Sequence, residues 1–171
     1  MREMDLTELL PEIVLRSRCE RRSASAPVFL TISPNLPSFC WNDNSLEDLI
    51  LMFVDRAISA GHPERPIRVA VVRRMKLADI EAMLNIHPSH WIQMKIDIQP
   101  SSEALIEIRK KLQSLGFGCE EAWIAEDSTS QLILFSCEDP LKPPLVFYVE
   151  DRKTNHRCSL LIPIEEPATA C

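Results

Sequence analysis

Glycine is scarce in this chain, which has only Gly61, Gly116 and Gly118 among its 171 residues. Loops that cradle phosphate groups need several glycines close together, because their backbone takes positive φ and approaches the anion where a Cβ would intrude. Neither GxGxxG nor GxxxxGK(S/T) occurs in the sequence. The sequence therefore excludes nucleotide sites of the Rossmann and P-loop kinds.

Long apolar runs and paired cysteines are also missing. The sequence has no run of about 18 apolar residues, which is the length that crosses a bilayer. Four carboxylates interrupt any signal-peptide core near the N-terminus: Glu3, Asp5, Glu8 and Glu12. The six cysteines include no CxxC pair, so the sequence suggests neither a zinc site nor a disulfide framework. We expect a cytoplasmic protein with reduced thiols and no membrane contact.

Positive charge is in the minority, since the net charge is −6 and the isoelectric point is near 5.3. Such a balance argues against a nucleic-acid partner, and the basic runs are short and lack interleaved aromatic residues. The hydrophobic share of 46% and the charged share of 26% are those of a globular protein. We expect one domain over 1–171, with an N-terminal helix and linker (1–24), an α/β sandwich (25–166) and a tail (167–171).

Amphipathic periodicity predicts three helices. The first lies within 4–22, the second at 46–60 behind a capping pattern of Ser45 and Asp48, and the third at 103–115 with Gly116 as its C-cap. The segment 76–86 fits either a short helix or part of a long connection. In the order of the sequence, one predicted helix thus precedes the first two predicted strands and another follows them.

Alternation of apolar and polar residues predicts the strands. The clearest is WIQMKIDIQ (91–99), in which apolar residues at the even positions 92–98 alternate with polar residues at the odd positions 93–99. Further strands are predicted at 28–32, in a short piece before Asn42, and at 66–72, 119–126, 131–137, 144–150 and 157–164. Together the elements predict an α/β, two-layer sandwich, with helices on one face of a mixed, mainly antiparallel sheet.

Three segments in this order carry a resemblance to a known family. MDLTELLPEIV, VFLTISPNLPSFCWNDNSLEDLILMFVDRAISAG and PIRVAVV, within 4–72, resemble the start of the ATP-binding domain of bacterial sensor histidine kinases. That domain has the ATPase fold shared with gyrase-type and Hsp90-type proteins, and the rest of the chain matches by the order of its elements. The resemblance implies the ATPase fold, with ATP and Mg²⁺ as cofactors if the site were intact.

The same resemblance assigns site positions to the helix at 46–60. The family has two asparagines there, four residues apart, and one of them ligates the magnesium ion that bridges the nucleotide phosphates. They fall on Met52 and Arg56, with a further polar position at Asp55. A guanidinium has no lone pair and a thioether suits no hard cation. Asp55 and Arg56 therefore fit a solvated helix edge, with contact to an anionic ligand as the alternative for Arg56.

A second position implied by the resemblance is Asp97, where the family has the aspartate that binds the adenine amino group. The glycines that should follow in the family's motif are replaced by Gln99 and Ser101. Strand alternation places Asp97 opposite the apolar face, so we expect a solvated carboxylate unless a bulge shifts the register. Pro100 leads almost directly into the next helix, which leaves no room for the family's nucleotide lid. Phe117 with its flanking glycines is predicted to form a turn.

Two smaller patterns have bland interpretations. His87 and His90 lie three residues apart without a carboxylate or thiol at ligand spacing, so a surface turn is expected rather than a metal site. Glu150 and Asp151 faintly resemble the acidic pair of a response-regulator receiver, but the chain is too short to complete one. We predict a strand-turn-strand hairpin there.

These observations lead to one functional hypothesis and two alternatives. The first is a histidine-kinase-type ATPase fold that binds no nucleotide or metal, has no catalytic residue and is no enzyme on its own, and acts as an interaction or regulatory module in two-component signalling. Its protein partner would be a response-regulator receiver or a histidine-kinase hairpin. The alternatives are a divergent, active kinase domain with Asp97 holding adenine, and an unrelated α/β interaction domain.

Overall fold

A computed structural model describes residues 2–19, 27–41, 45–60, 64–98, 102–114, 117–123, 130–137, 145–151 and 156–165. Within them lie four helices: α1 (Leu6–Cys19), α2 (Ser45–Ala60), α3 (Ala78–Leu84) and α4 (Ser102–Ser114). The strands are β1 (Arg2–Met4), β2 (Val28–Ile32), β3 (Phe39–Trp41), β4 (Ile67–Arg74), β5 (His90–Ile98), β6 (Phe117–Trp123), β7 (Ser130–Cys137), β8 (Leu145–Asp151) and β9 (His156–Ile164).

Seven of these strands form one mixed sheet in the order β2-β4-β5-β9-β8-β7-β6. Strands β2 and β4 are parallel, and each of the other neighbouring pairs is antiparallel. Strand β5 lies between β4 and β9, so both of its edges are hydrogen-bonded. The predicted α/β sandwich with a mixed, mainly antiparallel sheet is confirmed.

Local sequence explains where helix α1 begins. Asp5 precedes it, and Asp5 Oδ1 accepts hydrogen bonds from the Thr7 hydroxyl and from the Thr7 backbone N–H, the latter at 2.8 Å. These bonds satisfy a donor that the helix itself leaves without a partner. They also hold the pKa of Asp5 below its usual range, because both favour the charged carboxylate.

The main core lies between the sheet and helices α1 and α2. Helix α2 repeats apolar residues at a spacing of three and four, which lines one face with buried side chains: Leu46, Leu49, Ile50, Phe53, Val54, Ala57 and Ile58. These residues pack with the apolar side chains of α1 and with the even positions of β5, Ile92, Met94 and Ile96. Alternation along β5 therefore decides which of its side chains face these helices.

Helix α3 covers part of the other face of the sheet. Its Ile80 packs with Trp91 of β5, Val146 of β8 and Leu161 of β9 in a second, smaller cluster. Leu161 alternates along β9 with Leu160 and Ile162, which belong to the main core, so the two clusters lie on opposite faces of the sheet. The sandwich thus carries a short helix on its second face, in addition to the helices predicted for the first.

Two local predictions need correction, and one strand was missed. Phe117 and Gly118 do not form a turn, because they open β6 and pair with Cys137 and Ser136 of β7. His90 is not in a surface turn, since it begins β5 and is 3% exposed, whereas His87 is exposed as expected. The short strand β1, which pairs with β3, was not predicted at all.

Candidate functional site: helix α2 and strand β5

Asp55 and Arg56 lie at the border of the buried face of α2, and each is half-buried. Asp55 points toward α1, where the Ser17 hydroxyl donates a hydrogen bond to Asp55 Oδ1 at 3.0 Å. Ser17 is fully buried, so this bond satisfies a hydroxyl that has lost contact with water. The carboxylate of Asp55 therefore fastens α2 to α1.

Arg56 connects the same helix to its neighbour on the other side. Its Nε lies 2.6 Å from Glu107 Oε2 on α4, and both side chains are 41% exposed. A charge-assisted contact of this kind keeps the guanidinium on the carboxylate while part of the side chain stays in water. Asp55 and Arg56 thus join α2 to the two flanking helices, and the expected solvated helix edge is also a helix-helix contact.

Met52 completes the set of positions on α2. It is half-buried and packs against the main core. A thioether in this environment behaves as an adaptable apolar filler rather than as a ligand for a hard ion. Its role in the structure is packing.

Asp97 lies on the opposite face of the sheet from these residues. It alternates with Ile96, which faces the helices. On the neighbouring strand β9, the residue directly opposite Asp97 is Arg157. Arg157 Nε donates to Asp97 Oδ1 at 2.8 Å, and Arg157 Nη2 donates to Asp97 Oδ2 at 3.3 Å. No bulge shifts β5 within its described register, so Asp97 is not brought together with Met52, Asp55 or Arg56.

These residues do not fit a magnesium-nucleotide site at the positions that the resemblance assigns. Magnesium takes oxygen ligands in near-octahedral geometry. The position of the metal-binding amide holds the Arg56 guanidinium, which offers no lone pair and already contacts Glu107. Asp97, the position that the resemblance assigns to adenine binding, faces away from α2 and is paired with Arg157. The residues after Ile98 in this motif lie outside the described part of the chain.

Helix α3 carries a buried carboxylate that the sequence analysis missed. Glu81 is 6% exposed, and its Oε1 accepts hydrogen bonds from Trp91 Nε1 at 2.9 Å and from the Leu77 N–H at 3.1 Å. These two bonds, with the indole bond foremost, hold the pKa of Glu81 below its usual range. Glu81 thereby anchors α3 to β5. Glu81 follows Leu77 by four residues, but no local signal links it to Trp91.

The described thiols divide by exposure. Cys19 and Cys40 are exposed, whereas Cys158 is buried in the main core. Burial raises the pKa of the Cys158 thiol to about 12, with a smaller contribution from the nearby charge of Asp97. Cys158 is therefore a protonated core residue and no nucleophile.

Three surface cavities are lined by other residues. One, of about 500 Å³, lies on the uncovered part of the sheet and includes Phe29, Arg68 and Lys95. A second, of about 370 Å³, lies beside α3 and includes Arg74 and Lys76. The third, of about 360 Å³, lies near the start of α1 and is lined mostly by acidic residues: Glu3, Asp5, Glu8 and Glu12, with Met4, Leu9 and Ser38. None of these three is lined by Met52, Asp55 or Arg56.

No protein-family model matches the sequence, and no curated protein matches it. Among solved structures, the chain is similar to the Acinetobacter baumannii histidine kinase AdeS, with a TM-score of 0.52 and 8% identity over 96% of this chain and 68% of that one. Two further similar structures are the mycobacterial sensor histidine kinase MprB (TM-score 0.49, 13% identity, 97% of this chain and 99% of that one) and the cytoplasmic segment of the histidine kinase QseC (0.48, 12%, 97% and 78%).

The similarity to AdeS concerns the fold. It covers nearly the whole chain, including the half that resembled the kinases only by the order of its elements. The prediction of a histidine-kinase ATPase-type fold is therefore confirmed.

Within the described residues, no helix is long and apolar enough to span a membrane.

Proposed function

We propose that this chain is a histidine-kinase-type ATPase fold that binds no nucleotide and works as a protein-interaction module in two-component signalling. The observation that carries the proposal is the contact of 2.6 Å between Arg56 Nε and Glu107 Oε2. Arg56 is a paired cation, and the resemblance assigns its position to the amide that ligates magnesium in the kinase family. A metal ion brought to this place would meet a positive charge in partly desolvated surroundings, where repulsion is stronger than in water.

The position of Asp97 supports the same proposal. An active kinase domain of this fold would need that carboxylate on the nucleotide side, yet it lies on the far face of the sheet with both oxygens paired to Arg157. Turning Asp97 toward α2 would break this pair and expel Ile96 from the core, because neighbouring side chains on a strand exchange faces together. The alternative of an active kinase therefore has no support in these residues.

Titration calorimetry with a magnesium-loaded, non-hydrolysable ATP analogue tests the loss of nucleotide binding. We expect no heat of binding from the chain, whereas an active sensor-kinase domain gives a clear isotherm under the same conditions. Saturable binding in the micromolar range would contradict the proposal. If it occurs, the Asp97→Asn variant identifies the alternative, because an adenine-binding carboxylate loses affinity on this change and a cross-strand ion pair does not control affinity.

The interaction role is tested with the two partner classes that the fold suggests. A purified receiver domain and a purified kinase hairpin are immobilised in turn, and the chain is passed over them. We expect saturable binding to one of the two. Binding to neither, by a chain that is folded according to its circular dichroism, would contradict the proposed role in two-component signalling.

A further inference from the structure

The open part of the sheet carries a groove whose charge is opposite to that of the whole protein. We call it the cationic groove and define it by seven residues on β2, β4, β5 and β9: Phe29, Thr31, Arg68, Ala70, Lys95, Asp97 and Arg157. Helix α3 covers the same face farther along, over β5, β9 and β8, and stops short of these residues. The cationic groove is thus a part of this face that α3 does not cover.

Register places its residues in two rows across the strands. In the first row Phe29 lies beside Arg68, and Asp97 lies beside Arg157. In the second row Thr31 lies beside Ala70, Ala70 beside Lys95, and Lys95 beside Ser159. Both rows lie on the face of the sheet opposite α1 and α2, because they alternate with core residues such as Val69 and Ile96.

The charge of the cationic groove is positive in sum. It holds three cationic side chains and one carboxylate, Asp97, and that carboxylate is already paired to Arg157 through two hydrogen bonds. The protein as a whole has a net charge of −6. Positive charge gathered on one open face of an acidic protein attracts an anionic partner and orients its approach.

An apolar contact accompanies this charge. Phe29 lies at the rim and is 57% exposed, although an aromatic ring gains by leaving water. Sites for small molecules enclose most of their ligand, whereas this groove of about 500 Å³ lies on a sheet face with Thr31 and Arg68 open to solvent. Its shape suits a chain segment laid across the strands better than an enclosed metabolite.

We propose that the cationic groove docks an acidic segment of a partner protein that carries a leucine or phenylalanine among its carboxylates. The carboxylates face Arg68 and Lys95, and the apolar side chain packs on Phe29. This inference rests on the proposed interaction role and gives it a partner chemistry. It is independent of nucleotide loss, because the cationic groove and helix α2 lie on opposite faces of the sheet.

Fluorescence anisotropy tests this inference with the chain and a fluorescein-labelled peptide, Glu-Asp-Glu-Leu-Phe-Glu-Asp-Glu. We expect saturable binding at about 50 mM NaCl that weakens severalfold at about 300 mM NaCl, because salt screens exposed charges. The basic analogue Lys-Arg-Lys-Leu-Phe-Lys-Arg-Lys should not bind. Equal binding of the two peptides, or binding of neither, would overturn the proposal.

Matched variants locate the binding site. Arg68→Glu reverses an exposed charge in the cationic groove and should weaken peptide binding about tenfold or more. Arg73→Glu makes the same exposed change on the same strand outside the groove and should leave affinity within about twofold. Phe29→Ala should weaken binding about threefold or more without changing its dependence on salt. If Arg73→Glu weakens binding as much as Arg68→Glu, the attraction is nonspecific and the proposal is wrong.

Two competing occupants are separated in the same assay. Labelled oligothymidine that binds more tightly than the acidic peptide, with the same loss in Arg68→Glu, would identify the groove as a nucleic-acid site. Self-association at low salt that Arg68→Glu abolishes, measured by sedimentation velocity, would identify a second copy as the occupant, through acidic residues such as Glu8 and Glu12. Either result overturns the assignment to a partner's acidic segment. The nucleotide titration is unaffected by each of these outcomes.

Discussion

The two faces of the central sheet use charged residues in different ways. On the face under α1, α2 and α4, the core is apolar, and the polar residues at its border join one helix to the next, as Asp55 does with Ser17 and Arg56 with Glu107. On the other face, charges extend over open strands beside a small cluster under α3. The first face uses its polar groups for contacts between helices, whereas the second also carries side chains that are exposed to solvent, such as Arg68 and Phe29.

On the face under the helices, Asp55 and Arg56, which the resemblance assigns to a nucleotide site, have partners within the chain, Ser17 and Glu107. A face that is closed by helix-helix contacts leaves its charged groups paired within the chain, and such groups contribute to the architecture rather than to ligand binding. The open face keeps cationic groups and an aromatic ring within reach of another molecule. The face opposite α2 therefore presents the groups that a partner molecule can contact.

The largest expected effect contrasts one phenylalanine on each face. Phe53 on α2 is 1% exposed, and Phe53→Ala should lower the free energy of unfolding by about 3–5 kcal/mol through lost burial and a cavity. Phe29→Ala on the open face should change it by less than about 0.5 kcal/mol. Urea denaturation followed by circular dichroism measures both. Comparable losses in the two variants would mean that the open face is covered in the folded protein.

The next effect concerns Glu81, the buried carboxylate of α3. Glu81→Ala leaves the Trp91 indole N–H and the Leu77 N–H without their acceptor, so we expect a loss of stability smaller than that of Phe53→Ala and larger than that of Glu81→Gln, which keeps an acceptor oxygen. Urea denaturation near neutral pH provides the comparison. Equal losses in the alanine and glutamine variants would show that the charge, rather than the hydrogen bonds, matters.

The same residue predicts a dependence on pH. Its pKa in the folded protein lies below the ordinary value of 4.5, so the folded state holds this proton less tightly than the unfolded state. The stability that the charge contributes is therefore fully present above about pH 4.5 and is lost as the pH falls through the lower, folded pKa. The difference in unfolding free energy between the wild type and Glu81→Gln should narrow below about pH 4.5. A difference that is constant from pH 7 to 3 would contradict this assignment.

A smaller effect tests the bond between α1 and α2. Ser17→Ala removes the hydroxyl that donates to Asp55 and should cost about 1 kcal/mol of stability. Ser59→Ala is the matched control, because Ser59 is exposed and its hydroxyl donates to the Asp55 backbone carbonyl within the same helix. It should change stability by less than about 0.5 kcal/mol. Thermal unfolding at neutral pH ranks the two variants, and a reversed order would sink the structural role of Ser17.

The smallest effects compare the ion pairs of the two faces by double-mutant cycles. Arg56 and Glu107 are 41% exposed, so their coupling energy should be below about 0.5 kcal/mol. Asp97 and Arg157 are more buried, at 23% and 28%, and share two hydrogen bonds. Their coupling should reach about 1 kcal/mol. The cycles use Arg56→Gln with Glu107→Gln, and Asp97→Asn with Arg157→Gln. A larger coupling in the first pair would reverse the comparison.

Sequence reasoning recovered the elements whose periodicity is long and regular. Helix α2 and strand β5 were predicted within one or two residues, and alternation along β5 correctly separated Ile96 from Asp97. The hairpin of β8 and β9 was also predicted, and it pairs Glu150 with Arg157. In each case the signal lies within a few residues of the chain.

The failures share a cause in distance along the sequence. The partner of Arg56 is Glu107 on another helix, and the partner of Glu81 is Trp91 beyond a turn, so neither pair follows from local pattern. Helix α3 is too short for periodicity to reveal the face that it covers. Phe117 and Gly118 were assigned to a turn because glycine often marks one, whereas pairing with β7 determines their conformation.

The place of β9 in the sheet affects how the chain folds while it is being synthesised. Strand β5 can pair with β4 early, but its other edge waits for a strand about sixty residues farther along, as Asp97 and Arg157 show. A nascent chain that has emerged from the ribosome only as far as β8 therefore exposes the unpaired edge of β5. Unpaired edges of this kind recruit other chains. We expect co-translational chaperones to bind this protein most strongly during that interval.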